Sequence, residues 1–516
     1  MSGNTETFLR YNALDSACTM EIHNAIWPEV QSEFTQTYEL TTAMFPVLMF
    51  MQTRGVKISH DLLDQTKVDV LHSIDEKQEE LNRLCGRALN VNSSNDCKKY
   101  FYIELGIPPY YNKDKSPTVD DKALQKLVRG TAQRKGLRQA KLVQEIRGLQ
   151  KLYGTYLNIE FDSDNRMRGS YNPRGTKFGR LSSSKTIFGT GMNFQNLPQE
   201  FKKFIVPDDG YVFVEVDKRQ AEWVVVAYVS GDANMISAIE KGVDVHLHTA
   251  SLMFGTEPEL IKYENKIVGH LTDAEIIHEL RMSDSVLSKW AMNFPRAMSA
   301  RQCGKKSNHG LNYDEGPNGF ATINEMDIRE GKRIHSLYHT IYPGIRLWYE
   351  NVKLQLRRDR CLTNCFGRKV RFLGQWGDDL FKSAYSMLPQ STVVDSLNMG
   401  MVKIYSDEYL SRTVNLDVLA QVHDSVLMQI PISALQDRDT FNEIFGRVTD
   451  YTSPEMSYNT RTFKIASDFK AGVNWGGAHE QHNPQGMEDV NSHDDMLKLL
   501  NKWGIGNGKG TLGLAE

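Results

Sequence analysis

The chain has 516 residues, of which 40% are hydrophobic and 24% are charged. This length exceeds one ordinary domain, and the composition is typical of a globular enzyme and excludes a disordered or fibrous chain. The 6 cysteines form no CxxC pair, which argues against a disulfide framework and the usual structural zinc sites. The apolar stretch 43–51 is too short to cross a membrane, and the N-terminus shows no signal region. These features predict a cytoplasmic protein without a membrane partner.

The net charge of −3 conceals an uneven distribution along the chain. Residues 122–185 contain 15 Lys and Arg against 4 Asp and Glu, a local net charge of +11, so the remaining residues are acidic. A basic segment in an otherwise acidic chain can attract a polyanion such as a nucleic acid. The same charge would also suit a solvated helix face, and both interpretations stay open on composition alone.

The predicted elements begin with a mixed, largely helical region before residue 39. Residues 39–52 then carry apolar side chains at helical spacing, which predicts an amphipathic helix that ends at Gly55. Later elements are, in chain order, a strand at 56–58, helical patterns at 60–90 and 123–156, a basic Gly/Ser/Thr-rich loop at 174–191, a strand at 211–216, a mostly helical region at 245–356, a hairpin at 418–430 and an amphipathic stretch at 496–503.

Two aspartates occupy special places in this pattern. Asp217 follows the strand 211–216, and Asp424 lies at the tip of the hairpin 418–430. If these strands are neighbours in one sheet, both carboxylates project from the same edge. Paired oxygen ligands suit Mg²⁺, which takes its remaining ligands from water and substrate phosphates. A lone Asp at a strand end is more often a turn residue, so the pair alone leaves both interpretations open.

A second pattern accompanies the aspartates. Arg301, Lys305, His309 and Tyr313 recur every four residues and would form one stripe on a helix. Arginine and lysine one turn apart can bind a triphosphate, and an aromatic residue further along can stack on a base. A solvated helix face would show the same spacing.

Together these residues resemble the motifs of the A family of DNA polymerases, which includes bacterial polymerase I and many phage replicases. Residues 214–222 and 227–232 resemble its first palm motif, residues 301–313 its fingers motif, and residues 421–424 its second palm motif. Further matches keep the family order from about residue 38 to 477, namely 55–56, 90–93, 147–156, 179–184, 195–198, 244–246, 342–344, 366–368 and 472–475.

The resemblance implies a mixed α+β right-hand polymerase fold with a palm sheet, helical fingers and a helical thumb. The implied regions are 1–38 as the end of an exonuclease-like region, 39–84 as palm base helices, 85–170 as thumb, 171–235 as the first part of the palm, 236–374 as fingers, 375–477 as the second part of the palm, and 478–516 as a polar C-terminal tail. The basic segment then belongs to the thumb and its loop, which would bind the duplex backbone without reading sequence.

The implied activity is template-directed extension of a primer 3′-hydroxyl by dNTPs, with release of pyrophosphate. Asp217 and Asp424 would hold two Mg²⁺ ions, for which Mn²⁺ can substitute, with the backbone of Lys218 as a further ligand. Lys305 would protonate the leaving group, and Glu222 would fill the space that a ribose 2′-hydroxyl needs. The implied nucleotide contacts are Arg301, Lys305, His309, Tyr313, Glu222, Gln220 and His246. The implied DNA contacts are Arg180, Gln195, Gln390, His423, Arg147, Lys151 and Arg368.

Several positions depart from the family pattern. Ser425 stands where the family has a glutamate after His-Asp, so we expect a lower charge at the site without loss of activity. His309 replaces an aromatic residue of the fingers helix and can still stack near the incoming sugar. The remaining departures are Asp314 and Ser391 for glycines, Val224 for an arginine, and a stretch at 257–295 that is longer than the usual fingers.

Residues 11–15 resemble the last motif, Tyr-x-x-x-Asp, of a proofreading exonuclease, whose earlier carboxylate motifs would need many more residues upstream. We therefore expect the polymerase half of a split enzyme of the phage replicase type, acting in the host bacterial cytoplasm. Its expected partners are primer-template DNA, dNTPs, and a separate exonuclease chain or another replisome protein, unless the exonuclease has been lost.

Three rival interpretations accompany this one. A single-subunit RNA polymerase shares the palm, although Gln220 and Glu222 favour deoxynucleotides. An inactive polymerase-like DNA-binding protein would not need the metal ligands, whereas specialised lesion bypass is compatible with His309.

Other patterns are interpreted as structural or left between two alternatives. His335 and His339 have the i, i+4 spacing of many zinc ligands, but we interpret them as part of a solvated helix face. Cys361 and Cys365 are interpreted as core and loop thiols. Residues 497–503 either dock on a replication partner or fold back on the palm.

Overall fold

The computed structural model describes residues 5–112, 114–130, 134–268, 298–324 and 326–505. Helices predominate and short strands lie between them, which confirms the predicted mixed α+β class. Most of the long stretch predicted at 257–295 lies outside the described residues.

The helices have the following bounds: α1 (Thr5–Glu33), α2 (Thr35–Arg54), α3 (His60–Cys85), α4 (Ser94–Lys98), α5 (Asp121–Arg129), α6 (Arg138–Lys151), α7 (Gln199–Lys202), α8 (Ala221–Ser230), α9 (Ala233–Glu240), α10 (Val245–Phe254), α11 (Pro258–Val268), α12 (Ala300–Leu311), α13 (Pro317–Ile323), α14 (Ile328–Ile341), α15 (Pro343–Asp359), α16 (Asp378–Ser406), α17 (Ile432–Gln436), α18 (Arg438–Thr452) and α19 (His493–Lys502). The strands are β1 (Val56–Ile58), β2 (Arg166–Met167), β3 (Ser170–Asn172), β4 (Ser182–Ser184), β5 (Ile205–Val206), β6 (Tyr211–Lys218), β7 (Cys361–Thr363), β8 (Lys369–Arg371), β9 (Asp417–Val422), β10 (Ser425–Pro431), β11 (Met456–Tyr458), β12 (Arg461–Phe463), β13 (Ser467–Gly472) and β14 (Glu488–Asp489).

An antiparallel sheet in the order β14–β13–β6–β10–β9 forms the centre of the molecule. In its middle strand β6, the side chains of Val212, Val214 and Val216 are at most 1% exposed. Because successive side chains of a strand point to opposite faces, these valines line one face and leave Glu215 and Asp217 on the other. The alternation that predicted this strand is therefore the feature that positions the aspartate.

The long helix α16 packs against α2, α8 and α18 and is buried along most of its length. Its buried residues, which include polar ones such as Asp395 and Asn398, lie on nearly every side of the helix, as expected for a helix enclosed by neighbours rather than one with a solvated face. Gly400 permits the close approach of α18, because a Cβ at this position would lie 2.8 Å from the carbonyl oxygen of Tyr451.

Separate hydrophobic cores divide the molecule. One core surrounds the central sheet and takes in α2, and another lies among α8, α14, α15 and the first half of α16. Residues 81–146 build a third core of their own, in which Leu81, Phe101 and Leu142 are fully buried. Each core buries one group of elements, so these groups can pack as units joined through the sheet.

The structure refines several predicted boundaries. Helix α2 begins at Thr35, earlier than predicted, and ends as predicted at Gly55, whose φ of +61° suits glycine. The helical pattern at 123–156 is interrupted: α5 ends at Arg129, α6 begins at Arg138, and the turn Leu152–Leu157 is π-helical.

Residues 478–505, the described part of the predicted polar tail, contain a strand and a helix. Strand β14 pairs with β13 and extends the central sheet by one strand. Helix α19 buries Met496, Leu499 and Leu500 in the sheet core, and Trp503 after it is 7% exposed. Of the two alternatives for residues 497–503, the structure therefore shows packing against the body of the protein.

The first helix differs from the rest because α1 buries none of its residues. Its C-terminal end is held by ion pairs from Glu33 to Lys369 and Arg371, and from Glu29 to Arg371. Tyr11 and Asp15 of the exonuclease-like motif are both exposed on this helix. None of the helices in the described part of the chain has the length and apolar composition needed to cross a membrane.

Candidate functional site

Asp217 and Asp424 lie side by side, as predicted from the two strands that carry them. Strand β6 pairs with β10 in a register that places Asp217 opposite Ser425, the residue after Asp424. The backbone N–H of Lys218 donates to the carbonyl oxygen of Asp424 at 3.2 Å, which links the end of β6 to the β9–β10 turn. His423 adopts a φ of +54° in this two-residue turn and so reverses the chain directly before the aspartate.

The two carboxylates are half-buried and close together, so the ionised form of each is disfavoured by burial and by nearby negative charge. Burial, reinforced by the charges of Asp424 and Glu215, raises the pKa of Asp217 to about 7. Burial also raises the pKa of Asp424, with a contribution from the Glu222 carboxylate. A cation would relieve this repulsion, and two hard oxygen donors fit Mg²⁺ or Mn²⁺. Among the described residues no three acidic, His or Cys side chains converge as a complete metal site, so water or substrate oxygens would complete the coordination.

Asp217→Asn is expected to stabilise the metal-free protein by roughly 1–2 kcal/mol at about pH 8, after a discount for partial exposure. The pKa of Asp217 is about 7 in the folded protein against an ordinary value of 3.8, so ionisation opposes folding as the pH rises between these values. Asparagine does not ionise, and the gain should therefore shrink when the pH is lowered to about 5. Urea unfolding at both pH values measures it.

Asp489→Asn is the matched control for this prediction, because Asp489 is an exposed residue of the same sheet. Its substitution should change the free energy of unfolding equally little at both pH values. A gain for Asp217→Asn that does not depend on pH would contradict the prediction.

Helix α12 carries Arg301, Lys305 and His309 on one side, as predicted. Ser299 caps its N-terminus by accepting a hydrogen bond from the backbone N–H of Gln302. Lys305 and His309 are exposed, whereas Arg301 is half-buried and pairs with Asp244 through Nη2 at 2.7 Å. Sequence reasoning did not identify Asp244 as the partner of Arg301; in the structure Asp244 also caps α10 by accepting from the backbone N–H groups of His246 and Leu247.

Tyr313 does not lie on this helix, so the prediction of a four-residue helical stripe is wrong at its last member. Helix α12 ends at Leu311, and Tyr313 lies in the turn that follows. Its hydroxyl donates to Glu222 Oε2 at 2.5 Å, while Arg180 Nη2 donates to Glu222 Oε1 at 2.5 Å. Burial is the main reason that the pKa of Tyr313 lies well above its usual value, so its hydroxyl keeps its proton. Two donors therefore fix both oxygens of the Glu222 carboxylate.

His246 and Gln220 form hydrogen bonds that link the elements around the site. The amide of Asn308 on α12 donates to His246 Nδ1 at 3.0 Å, and burial lowers the pKa of His246 to about 4. His246 is therefore neutral near pH 7, with its ring centre 6.1 Å from that of His309. Gln220 has a φ of +51° at the start of α8 and accepts a hydrogen bond from the backbone N–H of Val245 at 3.4 Å.

Arg180, Gln195 and His423 line one pocket of about 210 Å³ beside the aspartates. Gln195 accepts from the backbone N–H of His423 at 2.9 Å and donates to the carbonyl oxygen of Gln421 at 2.8 Å. Its side chain thereby supports the turn that carries Asp424. Gln390 is half-buried on α16.

Two of the predicted DNA contacts have partners inside the protein. The guanidinium of Arg147 donates to the carbonyl oxygens of Val91 and Val119, and that of Arg368 pairs with Asp395, which is 1% exposed. Both arginines thus use donors inside the protein, and Arg368 is 8% exposed whereas Arg147 is half-buried. Lys151 is exposed, as a phosphate contact requires.

The prediction that both histidines of α14, His335 and His339, lie on a solvated face is only partly correct. His339 is only 9% exposed and packs edge-to-face against Tyr338 and Tyr349, so the prediction of a solvated face is wrong for this residue. Burial lowers the pKa of His339 to about 3. Cys361 is buried and Cys365 half-buried, consistent with core and loop thiols.

Comparison with known proteins defines the class. The chain matches the family model of DNA polymerase family A over residues 60–267 and 277–476, and it belongs to that family. The thermostable DNA polymerase I of Thermus filiformis is 25% identical over 432 residues, which cover 79% of this chain and 45% of that protein. DNA polymerase I of Helicobacter pylori strain 26695 is 25% identical over 408 residues, covering 76% of this chain and 39% of that protein. The chain thus spans less than half the length of these relatives.

A solved structure agrees with this assignment at the level of the fold. The POL domain of Pol1 from M. smegmatis, in complex with DNA primer-template and dNTP, superimposes with a TM-score of 0.66 at 20% sequence identity. The superposition covers 84% of this chain and 70% of that one. The protein therefore has the right-hand polymerase fold that its motifs implied.

Proposed function

We propose that this protein is a template-directed DNA polymerase that extends a primer 3′-hydroxyl with dNTPs by phosphoryl transfer. The observation that carries the proposal is the pairing of β6 with β10, which brings Asp217 next to Asp424. Family membership and the likeness to a polymerase domain solved with primer-template and dNTP support the same activity. We propose the domain bounds that the sequence implied, with the palm at 171–235 and 375–477, the thumb at 85–170 and the fingers at 236–374.

Asp217 and Asp424 would hold two divalent cations, Mg²⁺ or Mn²⁺, with the backbone of Lys218 beside them. Such ions, when bound, lower the pKa of an attacking hydroxyl and stabilise the charge of the departing pyrophosphate. The carboxylates themselves contribute the negative charge and the orientation, because the β9–β10 turn and the end of β6 hold them at one edge of the sheet.

Arg301 and Lys305 would bind the triphosphate of the incoming nucleotide. Arg301 would exchange Asp244 for a phosphate oxygen, since a guanidinium pairs equally well with either anion. Lys305 is exposed one turn along the helix, where it can approach the leaving group and donate a proton. His309 and the neutral His246 would complete this side of the nucleotide site, and Tyr313 would stack against the nascent base pair.

Arg180, Gln390 and His423 are our proposed contacts to the primer terminus, and the exposed Lys151 contacts the duplex backbone. The basic segment 122–185 supplies a local charge of +11 for this purpose. Backbone contacts of this kind would be independent of sequence and sensitive to salt. We further propose that the protein acts in DNA replication of the phage type.

Primer extension on a single-stranded template tests the proposal directly. We expect extension with dNTPs and Mg²⁺, and none when rNTPs are supplied instead. Extension with rNTPs alone would favour the RNA polymerase alternative. Tight binding of primer-template without extension by either set would favour an inactive DNA-binding protein.

Glu222→Ala is expected to raise the ratio of rNTP to dNTP incorporation about a hundred-fold, because the carboxylate occupies the space of a 2′-hydroxyl. Tyr313→Phe removes only one of the two donors that hold Glu222 and should raise the ratio several-fold at most. Single-nucleotide incorporation kinetics measure both ratios. Glu240→Ala, at an exposed position on α9, is the matched control and should leave the ratio unchanged. An unchanged ratio for Glu222→Ala would remove this residue from the sugar site.

A further inference from the structure

A carboxylate that the sequence motifs did not single out lies beside the two aspartates. Glu215 precedes Asp217 by two residues on β6, so both side chains project from the same face of the sheet. The strands β10 and β13 flank it on either side, with Leu427 and Lys470 as its direct neighbours in register. Glu215 is therefore part of the sheet face that carries the aspartate pair.

Specific hydrogen bonds hold the Glu215 carboxylate. Ser425 Oγ lies 2.9 Å from Glu215 Oε1, and Trp475 Nε1 donates to the same oxygen at 3.1 Å. Ser425 is 8% exposed and Trp475 2% exposed, so both contacts are sheltered from water. The hydroxyl of Ser425 also lies 3.1 Å from the carbonyl oxygen of Val422, and its single proton is shared between these acceptors. This network ties β6 to the turn that carries Asp424.

The contact between Ser425 and Glu215 lies directly beside the aspartate pair, because Ser425 follows Asp424 in the chain. Ser425 stands where the motif resemblance implies a glutamate, and its hydroxyl contacts a glutamate on the adjacent strand. The loss of a carboxylate at position 425 is thus accompanied by a carboxylate at position 215, diagonally across the β6–β10 pair. The charge of Glu215 also acts on Asp217, since it contributes to the raised pKa of that aspartate.

We propose that Glu215 is a positioning residue that replaces the missing carboxylate of position 425 and strengthens divalent-cation binding by Asp217 and Asp424. This inference rests on the proposed two-cation site. Glu215 would act from outside the coordination sphere, because Ser425 Oγ and Trp475 Nε1 already engage its Oε1. Its charge attracts the cations, and its hydrogen bond through Ser425 orients the Asp424 turn. Outer carboxylates of this kind affect metal affinity strongly.

Mn²⁺ binding to the protein alone, followed by the EPR signal of free Mn²⁺, tests the inference without relying on catalysis. Glu215→Gln keeps the size of the side chain and the oxygen that accepts from Ser425 and Trp475, but removes the charge. We expect it to weaken Mn²⁺ binding about ten-fold. Glu455→Gln removes one charge at an exposed position and should change the affinity less than about two-fold.

A charge relocation provides the second variant. Glu215→Gln combined with Ser425→Glu returns a carboxylate to position 425, and because it restores the charge but not the Ser425 contact we expect it to reduce the loss of Mn²⁺ affinity from about ten-fold to about three-fold. A purely structural role of Glu215 predicts no recovery, because the double variant loses the Ser425 contact. Thermal unfolding without metal verifies that each variant is folded, and the double variant tests the inference even if Glu215→Gln is destabilised.

Asp217→Asn separates the possible failures. If it removes Mn²⁺ binding while Glu215→Gln binds like the wild type, the inference on Glu215 is overturned and the proposed cation site stands. If Asp217→Asn binds Mn²⁺ as tightly as the wild type, the cation site itself is wrong, and with it the role of Glu215. A ten-fold loss in Glu215→Gln with partial recovery in the double variant supports both.

Discussion

Replacing either Asp217 or Asp424 by asparagine is expected to reduce primer extension at least about a thousand-fold, which corresponds to about 4 kcal/mol of transition-state stabilisation. Each substitution removes one of the two negative charges that would hold the cations, while the amide keeps the shape of the side chain. Because the carboxylates repel each other in the metal-free protein, neither substitution should impair folding. The loss should therefore appear in the rate constant of incorporation rather than in the amount of folded protein.

Rapid-quench measurement of single-nucleotide incorporation gives this rate constant, and a fluorescence assay gives the affinity for primer-template. We expect primer-template binding within about three-fold of the wild-type value, since backbone contacts supply most of it. Asp489→Asn on the same sheet serves as the control and should incorporate nucleotides at the wild-type rate. An Asp424→Asn variant that retains more than a tenth of the wild-type rate would contradict the assignment of the catalytic pair.

Lys305→Ala is expected to lower the rate constant of incorporation about a hundred-fold, because it removes both a positive charge and the proposed proton donor to pyrophosphate. Arg301→Ala should act mainly on the apparent affinity for dNTP, which we expect to weaken about thirty-fold. The two residues lie one turn apart on α12, and among the described residues Arg301 has an anionic partner, Asp244, whereas no ion pair of Lys305 is seen there. Their kinetic effects should therefore differ in kind as well as in size.

Two variants serve as controls for these effects. Lys306→Ala removes a charge from another side of the same helix and should change the rate and the dNTP affinity less than about three-fold. Asp244→Asn retains the capping oxygen of α10 but weakens its hold on Arg301, so its effect on dNTP affinity should be far smaller than that of Arg301→Ala. Equal losses for Lys305→Ala and Lys306→Ala would show that only the overall charge of the helix matters.

The arrangement of the central sheet could be predicted in large part from local pattern. The alternation in residues 211–216 predicted β6, and the apolar runs around His423-Asp424 predicted the β9–β10 hairpin, both of which the structure confirms. The predicted proximity of Asp217 and Asp424 depended on the pairing of β6 with β10. The ordered family motifs supported this pairing, because members of a family share their strand order even when their side chains differ.

Other features escaped sequence reasoning because they depend on partners that are remote in the chain. Arg147 and Arg368 are basic residues in motif positions, and only the folded chain places the carbonyl oxygens of residues 91 and 119, or the carboxylate of Asp395, against them. The end of α12 at Leu311 separates Tyr313 from the helix, although the four-residue spacing continues. The sequence showed that residues 496–503 are amphipathic, but it did not show against which surface their apolar side packs.

The sequence by itself determined the class of this protein, the two aspartates, the basic residues of α12 and the strands at the site, because periodicity and motif order are local properties of the chain. Only the tertiary structure decided which polar groups meet: Arg301 with Asp244, Tyr313 and Arg180 with Glu222, and Ser425 with Glu215. The residues that these contacts join lie 57, 91, 42 and 210 positions apart in the chain, respectively. A hydrogen bond depends on positions within a few tenths of an ångström, and no spacing along the chain specifies such positions until strand register and helix ends are set.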